Sequence, residues 1–118
     1  MGDLTENFSR DEFACDCGCG RDTIDGKTLE ILQAVRDHYG RSVVVTSGHR
    51  CEDWNRRVGG ASNSQHLYGR AADIKVAGVS PRFVAGWIEV QFPSASIGRY
   101  PTFTHVDTRT GRPAKWGD

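Results

Sequence analysis

The sequence predicts an α+β fold: a small antiparallel sheet that carries the functional residues, with helices packed on one face. Three observations lead there. Residues 25–39 and 81–92 repeat apolar side chains at three-to-four spacing, the period of a helix with one buried stripe. Short β-branched or alternating runs at 42–48, 70–76, 96–100 and 103–109 are bounded by glycine and proline, as strands are. The 118 residues contain no repeat, low-complexity tract or linker, so residues 1–118 read as one domain, long enough to bury a core.

Each element has its own signature. FSRDEF (residues 8–13) looks like a short helix start, with Ser9 as cap, Glu12 as its reciprocal partner, and Phe8 and Phe13 as a hydrophobic staple. The Cys/Gly stretch to Gly20 breaks it. In 25–39, Leu29, Ile31, Leu32 and Val35 form the stripe, Gly40 stops the helix, and His38 reads as a surface residue near its C-terminus. SVVVTSG reads as a buried strand. Residues 51–60 begin as a helix that Gly59 and Gly60 end, and ASNSQHLYG follows as a loop. In RAADIKV, Ala72, Ile74 and Val76 share the core face, which turns Asp73 towards a cleft. Ser80 and Pro81 open the second long helix, with Phe83, Val84, Trp87 and Ile88 as its stripe. SIGRY and FTHVDTR are two short strands; His105 and Asp107 share one face of the second, and Val106 points into the core. The tail GRPAKWG is a loop or short strand anchored by Trp116.

The bulk numbers exclude several functions. Lysine plus arginine equals aspartate plus glutamate, 15 against 15, so nothing argues for nucleic acid or an anionic membrane as partner. No apolar run reaches the roughly 18 residues of a membrane span. MGDLTENFSRDEF has neither a basic nor an apolar leader region, so the chain is expected to be made and kept in the cytoplasm unless something else exports it.

Cys15, Cys17 and Cys19 follow a C-x-C-x-C spacing, and Cys51 stands alone. Three readings stay open: reduced thiols, a disulfide from Cys51 to one of the three, or a second metal site, for which the usual C-x2-4-C pairs are missing.

The most informative stretch is Ser47–Ile74, polar and glycine-rich between apolar runs. It contains His66 and, six residues between them, Asp73; His105 comes later. Two histidines and a carboxylate are a usual ligand set for a catalytic zinc, one position being left for water. By spacing alone the signal is weak.

The wider pattern is specific. Ser64, His66, Gly69, Ala71 and Asp73 read S-x-H-x2-G-x-A-x-D. Around them stand F-x3-E-F-x-C at Phe8–Cys15, a T-S-G-x-R…N-x2-V-G-G-A-x2-S-x-H block at Thr46–His66, and Y-P-x-F-x-H-x-D-x-R at Tyr100–Arg109. Together these resemble the zinc D-Ala-D-Ala peptidase family, in its short single-domain branch, over nearly the whole chain. The resemblance implies the fold shared by D,D-peptidases and the hedgehog signalling domain, and one Zn2+ per chain held by His66, Asp73 and His105. It implies that Arg50 lies over the site, stabilising an oxyanion or a substrate carboxylate. Ser64 and Gln65 would line the rim, Ser64 as a substrate contact or only a turn cap. Tyr68, inside the site loop, is the expected aromatic substrate contact.

The general base is where the chain departs from the better-known relatives. They often carry a carboxylate three residues before the last histidine; here that residue is Thr102. Asp107 is the nearest carboxylate in sequence, either as the base or as a group that orients His105. His49 is a third candidate, more simply read as structural.

The expected function is zinc-dependent hydrolysis of a peptide bond in the peptidoglycan stem peptide, as a D,D-carboxypeptidase or a murein endopeptidase of endolysin type. The protein would be a monomer that acts on the cell wall after release, or one carried in a phage particle. The alternative is a catalytically degenerate module of a phage particle that still binds zinc.

Overall fold

Strands Val43–Ser47 (β1), Ala71–Val76 (β2), Ser96–Arg99 (β3), Thr104–Asp107 (β4) and Lys115–Gly117 (β5) form one sheet, in the order β1-β2-β4-β3-β5. The structure is a computed structural model describing residues 2–117. Helices Gly26–Tyr39 (α1), Glu52–Arg57 (α2) and Pro81–Gln91 (α3) complete the α+β architecture.

Alternation along the strands divides the sheet into two faces. Ala72, Ile74, Val76, Ile97 and Val106 point one way and join Leu32, Val35, Val84 and Ile88 of α1 and α3 in the main core. Leu32, Ile88, Ile97 and Val106 are fully buried, and each such side chain contributes about 1.5–3 kcal/mol relative to exposure. The other face is polar, and α1 and α3 leave it uncovered.

Local signals explain the helix ends. The Asp25 carboxylate accepts a hydrogen bond from the Lys27 amide at 2.8 Å, and Gly40 at φ +62° ends α1 in the left-handed conformation. At residues 10–13 the start signal produces only a 3-10 turn, in which Glu12 accepts from the Ser9 amide at 2.7 Å. Phe8 and Phe13 meet at 6.2 Å between ring centroids, both buried. This N-terminal segment passes directly over Gly48, where a Cβ would lie 2.7 Å from the Phe13 backbone. The chain must carry glycine there.

Four expectations change. The sheet is mixed, because β5 runs parallel to β3 along its free edge while the other pairs are antiparallel. A chain leaving β4 and stepping over β3 arrives antiparallel to β4, and hence parallel to β3. β1 is an edge strand with Val44 54% exposed, not a buried one. Phe83 is 60% exposed, because Val84, Ala85 and Ile88 occupy the buried side of α3. The ASNSQHLYG loop holds a 3-10 turn, Gln65–Tyr68, ended by Gly69 at φ +68°. His38 is exposed as expected, with its ring stacked on Trp87 at 4.4 Å.

Candidate metal centre

The register of the sheet aligns one transverse row on the polar face: Ser47, Asp73, His105, Gly98 and Trp116, one residue from each strand. A shift between Val45 and Ser47 admits Thr46 as an extra residue in β1 and places Ser47 opposite Asp73. The 3-10 turn at 65–68 then brings His66 over this row.

His66 Nε2 lies 3.2 Å from Asp73 Oδ1, and His105 Nδ1 lies 2.9 Å from the same oxygen. The three candidate ligand atoms fall within 4.8 Å of one another, all on buried residues. Each imidazole has its second nitrogen occupied. His66 Nδ1 is 2.7 Å from the Gly48 carbonyl, and His105 Nε2 is 2.7 Å from Asp107 Oδ2. A carbonyl can only accept, so the His66 proton sits on Nδ1 and the Nε2 lone pair faces the cluster. The Asp107 carboxylate does the same for His105, freeing Nδ1. Two neutral imidazoles and a carboxylate offering convergent lone pairs fit Zn2+ in donor type and number.

Burial alone would raise the Asp73 carboxyl, yet the His105 and His66 rings beside it, whenever either carries a proton towards it, hold it below the usual carboxylate range. Burial also opposes ionisation of Asp107, but His105 and Arg109 keep it depressed. For His105, burial works against the charged form and is outweighed by the hydrogen bonds to Asp107 and Asp73, so its pKa is raised.

Arg50 closes one side. Its Nη2 is 3.4 Å from Asp73 Oδ2, its Nε donates to Ser47 Oγ at 3.0 Å, and its Nη1 donates to Asn55 Oδ1 at 3.2 Å. Gly60 lies close against this clamp: a Cβ there would meet Asn55 Oδ1 at 2.1 Å and displace the side chain that holds Arg50. Arg50, His66, Asp73 and His105 line an open cleft of about 490 Å³, together with Ser64 and Gln65. Ser64 also caps the turn, its Oγ accepting from the His66 amide at 3.2 Å. Gln65 Oε1 is buried with no hydrogen-bond partner.

The remaining candidates lie elsewhere. Asp107 is fully buried behind His105. Its Oδ2 takes His105 Nε2 and Arg109 Nη2, each at 2.7 Å, and its Oδ1 takes the Arg109 amide and Nε. His49 accepts from the Thr23 amide through Nδ1 at 3.1 Å and donates from Nε2 to the Leu67 carbonyl at 3.2 Å, so both nitrogens hold loops together. Burial lowers its pKa. Tyr68 is 54% exposed under the Arg70 guanidinium and borders a neighbouring groove instead of the cleft. Thr102 is exposed and outside the cleft lining.

The wall opposite Arg50 went unassigned at the level of sequence. Trp116 folds over Gly98, where a Cβ would lie 2.6 Å from the indole, and its ring reaches 5.0 Å from that of His105. The indole N–H donates to the Tyr100 hydroxyl at 2.9 Å, Tyr100 stacks on Phe103 at 4.4 Å, and Arg109 lies over Trp116. The Y-P-x-F element and the tail tryptophan were the available signals, but only the β3–β5 pairing joins them.

The sequence profile described as Peptidase M15 matches residues 6–107. Over 48 residues the chain is 48% identical to a zinc D-Ala-D-Ala carboxypeptidase of Streptomyces albus G. The matched stretch is 40% of this chain, and the chain spans only 19% of that relative's length.

Proposed function

The chain belongs to the peptidase M15 family, and we propose that it is a zinc-dependent peptidase that hydrolyses a peptide bond in peptidoglycan stem peptides. The single observation that supports this most is the convergence of His66 Nε2, Asp73 Oδ1 and His105 Nδ1, with the second nitrogen of each histidine already engaged. Zinc bound by such a trio supplies Lewis-acid activation of a carbonyl and of water. Asp73 holds negative charge at the floor of the cleft. Arg50, tied to Ser47 and Asn55, keeps a fixed positive charge beside it, suited to a developing oxyanion or a substrate carboxylate. Of the two roles open to Asp107, orienting His105 is the one its buried position supports. Gln65 and Ser64 stand on the rim of the cleft, placed to meet a bound substrate. The Trp116–Tyr100–Phe103 wall offers apolar contact to the stem peptide. One domain carries all of these groups, one zinc ion sits in the cleft, and a monomer suffices. Among the described residues no helix is long and apolar enough to cross a membrane.

A second function, a binding module of a phage particle that holds zinc without turnover, draws on one observation. Asp73 is the only carboxylate among the cleft-lining residues described. Mass spectrometry of muropeptides digested by wild type and His66→Ala decides between them. Loss of terminal D-Ala, or scission nearer the glycan, by wild type alone supports the peptidase. Bound zinc with intact muropeptides supports the binding module and refutes the peptidase.

A further inference from the structure

Besides the cleft ligands, the four cysteines come together. Cys15 Sγ lies 3.4 Å from Cys17 Sγ and 3.9 Å from Cys51 Sγ, and Cys17 and Cys51 are 3.6 Å apart. With Cys19 included, all four sulfur atoms fall within 4.8 Å of one another. A disulfide needs about 2.05 Å. Sulfurs ~2.3 Å from a tetrahedral zinc stand ~3.8 Å apart, close to these separations.

The C-x-C-x-C spacing argues against a metal site only while the chain is extended, because alternate residues of a strand are ~6.6 Å apart. Here the Gly18 amide donates to the Cys15 carbonyl at 3.1 Å, and Gly18 and Gly20 adopt φ +84° and +90°. Gly18 turns the chain between Cys17 and Cys19, so that the three alternating sulfurs come together, and Gly20 turns it again just after Cys19. The fourth comes from the residue that opens α2. Backbone amides already point at the sulfurs: Cys51 N–H at Cys15 Sγ, 3.5 Å, and Trp54 N–H at Cys51 Sγ, 3.4 Å. Such donors offset part of the charge of four thiolates around a divalent ion. Four sulfur donors and no carboxylate favour zinc over magnesium or calcium.

We propose that Cys15, Cys17, Cys19 and Cys51 form a second, structural zinc site with a closed tetrathiolate shell. It is separate from the cleft ion. It ties the N-terminal loop to the residue next to Arg50, whose amide donates to the His66 carbonyl at 3.0 Å. The second ion therefore braces the arginine side of the cleft from outside.

Metal content and thiol reactivity test this on the full chain, purified with reductant and zinc and then freed of excess metal. Wild type is expected to hold two zinc ions, His66→Ala one, and Cys51→Ser one. The four thiols of wild type should resist Ellman's reagent until a strong chelator is added, a measurement that needs no variant. Cobalt substitution should give an intense thiolate charge-transfer band that His66→Ala retains and Cys51→Ser loses. If only the cleft site is wrong, wild type holds one zinc that His66→Ala keeps. The tetrathiolate site is refuted by one zinc that His66→Ala abolishes, by immediate reaction of all four thiols, by disulfides in the intact mass, or by iron–sulfur absorption in anaerobic preparations.

Discussion

Asp107→Asn separates the two roles of the carboxylate behind His105. The native oxygens accept from His105 Nε2 and Arg109 Nη2 at 2.7 Å, and from the Arg109 Nε and amide at 3.0 and 3.1 Å. Asparagine keeps one acceptor and turns an NH2 towards donors whichever way it lies. With its oxygen on His105, the imidazole keeps its tautomer but trades a charge-assisted hydrogen bond for a neutral one. Such bonds contribute about 1.5–3 and 0.5–1.5 kcal/mol respectively. Arg109, 27% exposed, can turn towards water. Folding stability should therefore fall by about 1–3 kcal/mol in denaturant titrations of the zinc-loaded protein. A histidine ligand that loses its carboxylate support typically binds metal ~10- to 100-fold more weakly. Competition against a chromogenic chelator measures that loss directly, and saturating zinc should restore most of the turnover. Unchanged zinc affinity together with a drop in turnover of about 100-fold or more that zinc cannot rescue would refute the orienting role. Asp107 would then have to handle the reacting proton itself.

Three further outcomes follow from the same geometry. Gly98→Ala places a methyl where the Trp116 indole lies, so the aromatic wall should shift; KM for a stem peptide should rise roughly 2- to 12-fold, the loss of one aromatic contact, with zinc content unchanged. Leu32→Ala, at a fully buried site of α1, should cost about 2–5 kcal/mol in denaturant titrations while zinc stoichiometry at low temperature stays intact. Thermal melts should show opposite pH trends with and without cleft metal. In the metal-free protein the raised His105 pKa contributes stability below the unfolded value of about 6.5, and this is lost as pH rises through the folded value. Zinc competes with that proton for Nδ1, so stabilisation by zinc should grow over the same rise. At acid pH the depressed Asp73 and Asp107 contribute stability above about 4, lost as pH falls through their folded values.

Much of this protein was legible in one dimension because its signals are local. The α1 stripe, the Gly40 stop and the Asp73 side of β2 follow from periods of 3.6 and 2, which any chain obeys before it packs. The candidate ligand trio His66, Asp73 and His105, which the fold brings together, could be picked out in sequence only through the motif around it, since His105 lies 32 residues beyond Asp73 and spacing alone could not join them. Tertiary structure decided the rest. Strand register put Asp73, His105, Gly98 and Trp116 in one row, and register depends on which strands pair. Burial and saturated hydrogen bonding set Asp107 behind a histidine instead of in the cleft. Tyr68 and Phe83 face solvent because a helical turn has one inside, and neighbouring elements choose it. Four cysteines with the wrong spacing for a strand meet because the chain turns at left-handed Gly18 and Gly20 and α2 opens beside it, a backbone state that residue order permits but only the assembled fold selects.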